Sequence, residues 1–256
     1  MMAEDDLSNY ENRAIIRIGD TVHRPAQWWT PAVHELLRYL ESVAFPYSPR
    51  VLGSDREGRE VLSFIEGESG GDSWTKIITD DGLVKFARLL REYHEAVRGF
   101  EPSPQSRWAY RTGAPASGEI MCHGDFGPWN VVWRGDDPVG IIDWDMALPA
   151  QPRYDVLYAL QYSAPFCDDT MALEWNHFPS PPDRKRRIEV FTAAYGLEEA
   201  GDIVGDVAAM QRQVGAFVAH LADRGLQPQA DWIAQGELAE VEKRATWTEQ
   251  HRALFT

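Results

Sequence analysis

The sequence is sparing with residues that cross-link, anchor or grip polyanions. Among 256 residues the only cysteines are Cys122 and Cys167, and they form no CxxC pair. That excludes a disulfide framework and gives no structural zinc signature. No apolar run approaches the roughly 20 residues of a membrane-spanning helix. Basic side chains number 25 against 40 acidic ones, a formal charge of −15. Such a balance disfavours nucleic-acid or anionic-membrane partners, which need clustered lysine and arginine. It would suit a cationic small molecule, or simply keep the chain soluble. Lysine is absent before Lys76, and glycine is absent from residues 1–18. Met1 to Asp6 is acidic and lacks the basic-then-apolar pattern of a secretory leader, so a cytoplasmic location is expected.

The residues that are present suffice for a substantial core. At 44% hydrophobic, the chain suits one large domain or two modest lobes. Ile15, Ile16 and Ile18, a Gly19-Asp20 turn and Thr21 to Arg24 predict a hairpin stopped by Pro25. Thr30, as N-cap, with Pro31 opens a helix whose inner face is Val33, Leu36, Leu37 and Leu40. Val51-Leu52 and Val61 to Ile65 add two strands, and Gly67 to Ser73 reads as a linker. Asp80 or Asp81 caps a second helix carrying Leu83, Phe86, Leu90 and Tyr93, in which His94 reads as a packed or surface residue. After a long Pro/Ser/Gly loop and the central segment, the rest is mostly helical: from Val156, over 184–195, 203–224 and 231–252.

The central segment, Met121 to Asp145, carries the chemistry. Gly124, Gly127 and Pro128 forbid a regular element and force a loop after the short strand Ile120 to Cys122. Val131 to Trp133, a Gly-Asp-Asp-Pro turn and Val139 to Ile142 then read as a hairpin. Its ends bring Asn130 and Asp143 together, two hard oxygen donors of the kind Mg²⁺ accepts, with Asp125 facing the same space.

His123-Gly124-Asp125, Asn130 five residues beyond Asp125, and an apolar run closed by Asp143 with Asp145 behind it resemble the signature of the aminoglycoside phosphotransferase and choline kinase-like family. They are also similar to the protein-kinase catalytic loop, with Gly124 where those enzymes carry arginine. The resemblance implies an α+β, two-lobed protein-kinase-like fold, with a small antiparallel-sheet N-lobe over residues 1–66 and a larger, mostly helical C-lobe over 67–256. It implies transfer of the γ-phosphate of ATP or GTP to a hydroxyl of an aminoglycoside-like or other small acceptor. Asp125 is then the base, Asn130 and Asp143 hold Mg²⁺, and His123 completes the catalytic loop, as a brace more than as a base. Ser63, Phe64 and Ile65 fall where the family's hinge meets adenine, and Asp155 where an aspartate supports the catalytic loop.

The chain also departs from the family pattern. The lysine usual on the second strand is missing, leaving Arg24 to meet the nucleotide phosphates, with Glu35 on the helix to orient it. Asp6 to Asn12 would have to cover the phosphates without glycine. For the acceptor, Asp145, Asp168, Asp169 and Glu174 offer charge for amines, while Trp175, Tyr195 and Trp247 offer rings. Two other readings stand beside an aminoglycoside kinase. One is a kinase for choline, homoserine or a sugar; the other is a catalytically silent nucleotide-binding regulator.

Overall fold

A computed structural model describes residues 4–7, 15–198 and 200–256, without the side chains of residues 4–6 and 72. The chain builds a small antiparallel sheet and a larger helical part, the α+β kinase-like arrangement. The sheet orders its strands β1-β2-β3-β5-β4, with β2 at Ile16–Ile18, β3 at Thr21–Arg24, β4 at Val51–Ser54 and β5 at Glu60–Ser63. Strand β1, Glu4–Asp6, which pairs with β2, was not expected from the sequence. Beyond Leu7, the segment expected to cover phosphates lies outside the described residues.

Helix α1, Thr30–Ser42, packs the expected Val33, Leu36, Leu37 and Leu40 inward, but Trp29 and not Thr30 occupies the N-cap position. Thr30 is already helical, and its hydroxyl accepts from the Gln27 amide at 2.8 Å, steadying the approach to the helix. The expected linker, Gly67 to Ser73, is in part regular: its second half enters a 3₁₀ segment, Gly70–Ile77. Helix α2, Asp80–Val97, is capped one residue before the expected aspartates, by Thr79 accepting from Gly82 N at 3.1 Å. Its apolar face is fully buried at Leu83, Phe86, Leu90 and Tyr93, where it forms the centre of the main core.

Strand β6, Ile120–Cys122, pairs with the short β9, Leu148–Ala150, while β7, Val131–Arg134, and β8, Asp137–Ile141, form the expected hairpin. Helices α3 (Arg153–Ser163), α4 (Asp169–Glu174), α5 (Arg184–Tyr195), α6 (Ile203–Ala222), α7 (Gln229–Ala234) and α8 (Glu237–Gln250) complete the larger part. The last two were expected as one helix. Gly236 divides them at φ +95°, a conformation glycine adopts without the penalty a Cβ brings. Among the described residues no helix is long and apolar enough to cross a membrane.

Candidate active site

The site forms where the β7–β8 hairpin closes beneath the small sheet. Ile142 N donates to Asn130 O at 2.9 Å, so the two ends meet and Asp143 follows directly. Asp143 sits at φ +60° in the left-handed region, a costly position for a residue with a Cβ. It turns the chain out of β8 into the 3₁₀ segment Trp144–Met146 and places the Asp143 carboxylate, about one-third exposed, at the cleft wall beside Asp125.

The loop carrying Asp125 is pinned from below. Asp155 on α3 is fully buried and accepts from His123 N at 2.6 Å and Gly124 N at 2.9 Å, with His94 Nε2 donating at 3.1 Å. His94 Nδ1 in turn accepts from the Tyr195 hydroxyl at 2.8 Å. Gly124 is indispensable to this turn: its φ is +83°, and a Cβ there would sit 2.0 Å from Met146 O. His123 is wholly buried, its Nε2 donating to Ile142 O at 3.0 Å and its Nδ1 accepting from Asp125 N at 3.3 Å. Burial pushes its pKa down, against the pull of Asp155 and Asp143. Both ring nitrogens thus serve the backbone, so His123 braces the loop, as expected of it ahead of a role as base.

Asp125 faces the cleft with both carboxylate oxygens engaged. The Tyr158 hydroxyl donates to Oδ1, and Asn130 Nδ2 donates to Oδ2 at 2.8 Å. Burial pushes the Asp125 pKa up to about 7, outweighing the hydrogen bonds from Tyr158 and Asn130 that favour its charged form, while nearby Asp143 adds to the rise. An aspartate poised near neutrality suits a general base. Asn130 also gives its amide nitrogen to Asp125 O at 2.8 Å, which leaves its carboxamide oxygen for another partner.

Arg24 is buried and spans three carboxylates. Nε donates to Glu60 at 2.5 Å, Nη1 to Asp143 at 3.2 Å and Nη2 to Asp145 at 2.9 Å. Burial works against its charge, yet Asp145, Glu60 and Asp143 together hold its pKa above the ordinary arginine value. Arg24 was expected to aim its fork at phosphates; here the fork is filled by protein carboxylates. Glu35 is not its partner, since that side chain accepts from Ser103 N at 3.1 Å and Ser106 Oγ at 2.9 Å. Glu60 takes the place expected of Glu35 because Arg24 and Glu60 are directly opposed in the β3–β5 register, and His34 from α1 holds the other Glu60 oxygen at 2.8 Å.

Several expected site residues lie elsewhere. The Ser63 amide donates to Arg50 O at 2.9 Å and the Phe64 amide to Asp20 O at 2.8 Å, so two of the backbone groups around Ser63 to Ile65, where adenine contact was expected, are used within the small sheet. The Ile65 side chain packs over Gly140, where a Cβ would come within 2.8 Å of it. Asp168 caps α4 by accepting from Met171 N, and Asp169 pairs with Arg184 at 2.9 Å, so these two carboxylates serve structure and do not line the cleft. Asp145 is buried against Arg24 in place of an acceptor. Tyr195 binds His94, and Trp247 stacks on His251; Trp175 alone of the three expected rings borders the cleft.

The cleft beside Asp125 and Asp143 measures about 750 Å³. Its aromatic lining includes Trp129, Tyr158 and Tyr162, which the sequence reading passed over. The signal available was the recurrence of tyrosine at 154, 158 and 162, one helical face of α3.

Residues 106–200, which span the loop carrying Asp125, the hairpin and Asp155, match the model of a family described as the phosphotransferase enzyme family. Over 188 residues the chain is 34% identical to the trifolitoxin immunity protein of Rhizobium leguminosarum bv. trifolii, an alignment covering 72% of this chain and 70% of that protein. The chain belongs to the phosphotransferase enzyme family. This phosphotransferase resembles the solved GDP complex of aminoglycoside 2'-phosphotransferase-IIIa at TM-score 0.62 and 16% identity, with 96% and 93% of the two chains covered. It resembles a choline/ethanolamine kinase family protein from Mesorhizobium loti at TM-score 0.58 and 16% identity, covering 97% and 92%. It also resembles amicoumacin kinase hAmiN at TM-score 0.64 and 11% identity, covering 97% and 88%. At these identities the solved structures establish the shared kinase-like fold. The expected enzyme class, a phosphotransferase acting on hydroxyl groups, follows from family membership and the fold.

Proposed function

We propose that this phosphotransferase moves the γ-phosphoryl group of ATP or GTP to a hydroxyl of a small acceptor bound in the cleft beside Asp125. The reading rests chiefly on Asp125 itself: a carboxylate at the cleft surface, fixed by Tyr158 and Asn130, with its pKa raised to about 7. In the reaction Asp125 orients the acceptor hydroxyl and takes its proton as oxygen attacks phosphorus. Tyr158 and Asn130 hold the carboxylate in one orientation, and Asp155 keeps the loop at a fixed height through the His123 and Gly124 amides.

The donor set fits Mg²⁺. Asp143 offers a carboxylate at the cleft, the Asn130 oxygen is left over once its nitrogen has gone to Asp125, and the Arg24 guanidinium already marks the spot beside Asp143 and Asp145 as one that draws positive charge. Asn130 and Asp143 are the residues that would hold the ion, whose chemistry is to offset charge on the transferring phosphates. Arg24 balances Asp143 and Asp145 in the resting protein. Likeness to an immunity protein favours a protective role, in which phosphorylation disarms a harmful compound. The test is Mg²⁺-dependent transfer from ATP and GTP to added acceptors, with Asp125→Ala as control. The proposal fails if transfer is unchanged in that variant.

A further inference from the structure

The wall of the cleft narrows the acceptor further than the catalytic residues do. Trp74 and Trp129 have ring centroids 5.3 Å apart, Trp129 and Tyr162 4.7 Å, Tyr158 and Tyr162 5.4 Å, and Tyr154 and Tyr158 6.4 Å. All five rings line the cleft, and at these spacings they form one continuous aromatic surface that begins at Asp125. Trp129 and Trp74 meet Tyr162 at 83° and 77°, edge against face. A quaternary-ammonium cage needs a cation over several ring faces, within about 6 Å of each centroid. Around Tyr162 the rings are packed edge to face and leave no space between them for that cation. They offer a surface for a flat or apolar body.

The charges lining the cleft point the same way. Beyond Asp125 and Asp143, the acidic side chains among its described lining are Glu237 and Glu240, and each already has a cation nearby: Arg244 at 3.7 Å from Glu237, Lys243 at 3.3 Å from Glu240. A polyamine sugar needs several carboxylates of its own. Hydrogen-bond donors are in surplus instead. Arg244, close enough to Tyr162 and Cys167 to act on both electrostatically, has an unpartnered Nε, and Gln161, only 6% exposed, has an unpartnered Nε2. Turning either toward a ligand forfeits no hydrogen bond at those atoms, and a buried donor gains by finding an acceptor. At the rim Trp175 is 71% exposed, a large apolar surface that a ligand would cover.

Building on the phosphotransfer reading above, we propose that the acceptor is a hydroxyl compound with an apolar, ring-bearing body and an amide or carboxylate oxygen. The body lies along the aromatic wall and under Trp175, the oxygen meets Arg244 and Gln161, and the hydroxyl reaches Asp125. Polycationic sugars and quaternary amino alcohols are poor acceptors.

The full chain is titrated, with tryptophan fluorescence as readout, against four probes: N-acetylphenylalaninol, phenyllactate, kanamycin and choline. Each is then offered as acceptor with Mg-ATP and Mg-GTP. The two ring-bearing probes should bind and be phosphorylated with kcat/KM at least about tenfold above kanamycin and choline. Trp175→Ala should raise their KM about tenfold while kcat holds. Whichever ring-bearing probe is favoured identifies the oxygen as amide or carboxylate, and Arg244→Met should weaken phenyllactate more than N-acetylphenylalaninol. A preference for kanamycin or choline, or no binding of either ring-bearing probe, overturns the proposal. Transfer that fails with every acceptor while a ring-bearing probe binds refutes the phosphotransfer reading but supports the aromatic subsite.

Discussion

Replacing Asp155 with asparagine changes one oxygen to nitrogen in a side chain that never touches the cleft, and it should nonetheless slow turnover. Both carboxylate oxygens are used: one meets His123 N at 2.6 Å and His94 Nε2 at 3.1 Å, the other Gly124 N at 2.9 Å. An asparagine can serve one of the two loop amides, but its own N–H₂ then faces the other, or faces His94, donor against donor. One buried donor loses its acceptor, at a cost of about 1–3 kcal/mol. For a chain of this size each kcal/mol lowers the melting temperature by roughly 2–4 °C, so a fall of about 2–12 °C is expected. The same loss frees one end of the loop that carries Asp125. Thermal melts followed by circular dichroism give the first quantity, and Mg-nucleotide turnover at a temperature where both proteins are folded gives the second. Turnover should fall while the KM for nucleotide stays put, because nothing at Asp155 reaches the proposed nucleotide site. Unchanged melting and unchanged turnover together would refute the claim that Asp155 supports the loop.

Gly124→Ala should fail more severely, since the left-handed backbone costs about 1–2 kcal/mol and the new Cβ overlaps Met146 O; a melt and a turnover assay should both show the loss. Turnover should rise with pH through about 7 as Asp125 loses its proton, with pH 6 about tenfold below the alkaline plateau. Stability should run the other way: folded Asp125 keeps its proton up to about pH 7 while an unfolded aspartate releases it near pH ~4, so the fold loses stability as pH rises through that window. Melts of Asp125→Asn should therefore show a larger advantage over the parent at pH 8 than at pH 4. Arg24→Ala removes the guanidinium shared by the buried Glu60 and Asp145 and should cost about 3–5 kcal/mol in urea titration, with Arg24→Lys recovering only part because one ammonium cannot fill a three-way fork.

The β7–β8 hairpin and the loop before it were legible in the sequence because their determinants are local. Gly124, Gly127 and Pro128 exclude regular structure, the two apolar runs pair across a short turn, and the pairing itself brings Asn130 to Asp143. The fold followed from the same residues, since their order resembles one family. The partner of Arg24 was not legible: Glu60 is 36 residues away, and only the β3–β5 register joins them. The direction of the Ser63 and Phe64 amides was hidden for a similar reason, because it depends on pairing that the sequence does not display. Asp168 and Asp169 looked like substrate carboxylates by charge alone, yet one is a helix cap and the other a partner of Arg184. The aromatic wall went unread because tyrosines at four-residue spacing on an apolar helix look like core packing until the cleft beside them is seen.

The central claim, that Asp125 is the base of a phosphoryl transfer, is tested most directly by Mg²⁺-dependent transfer from ATP or GTP to an accepted hydroxyl compound in parent and Asp125→Ala proteins. A drop in turnover of about 10²- to 10⁴-fold with little change in nucleotide binding is predicted. Equal turnover in the two proteins would contradict the assignment of Asp125.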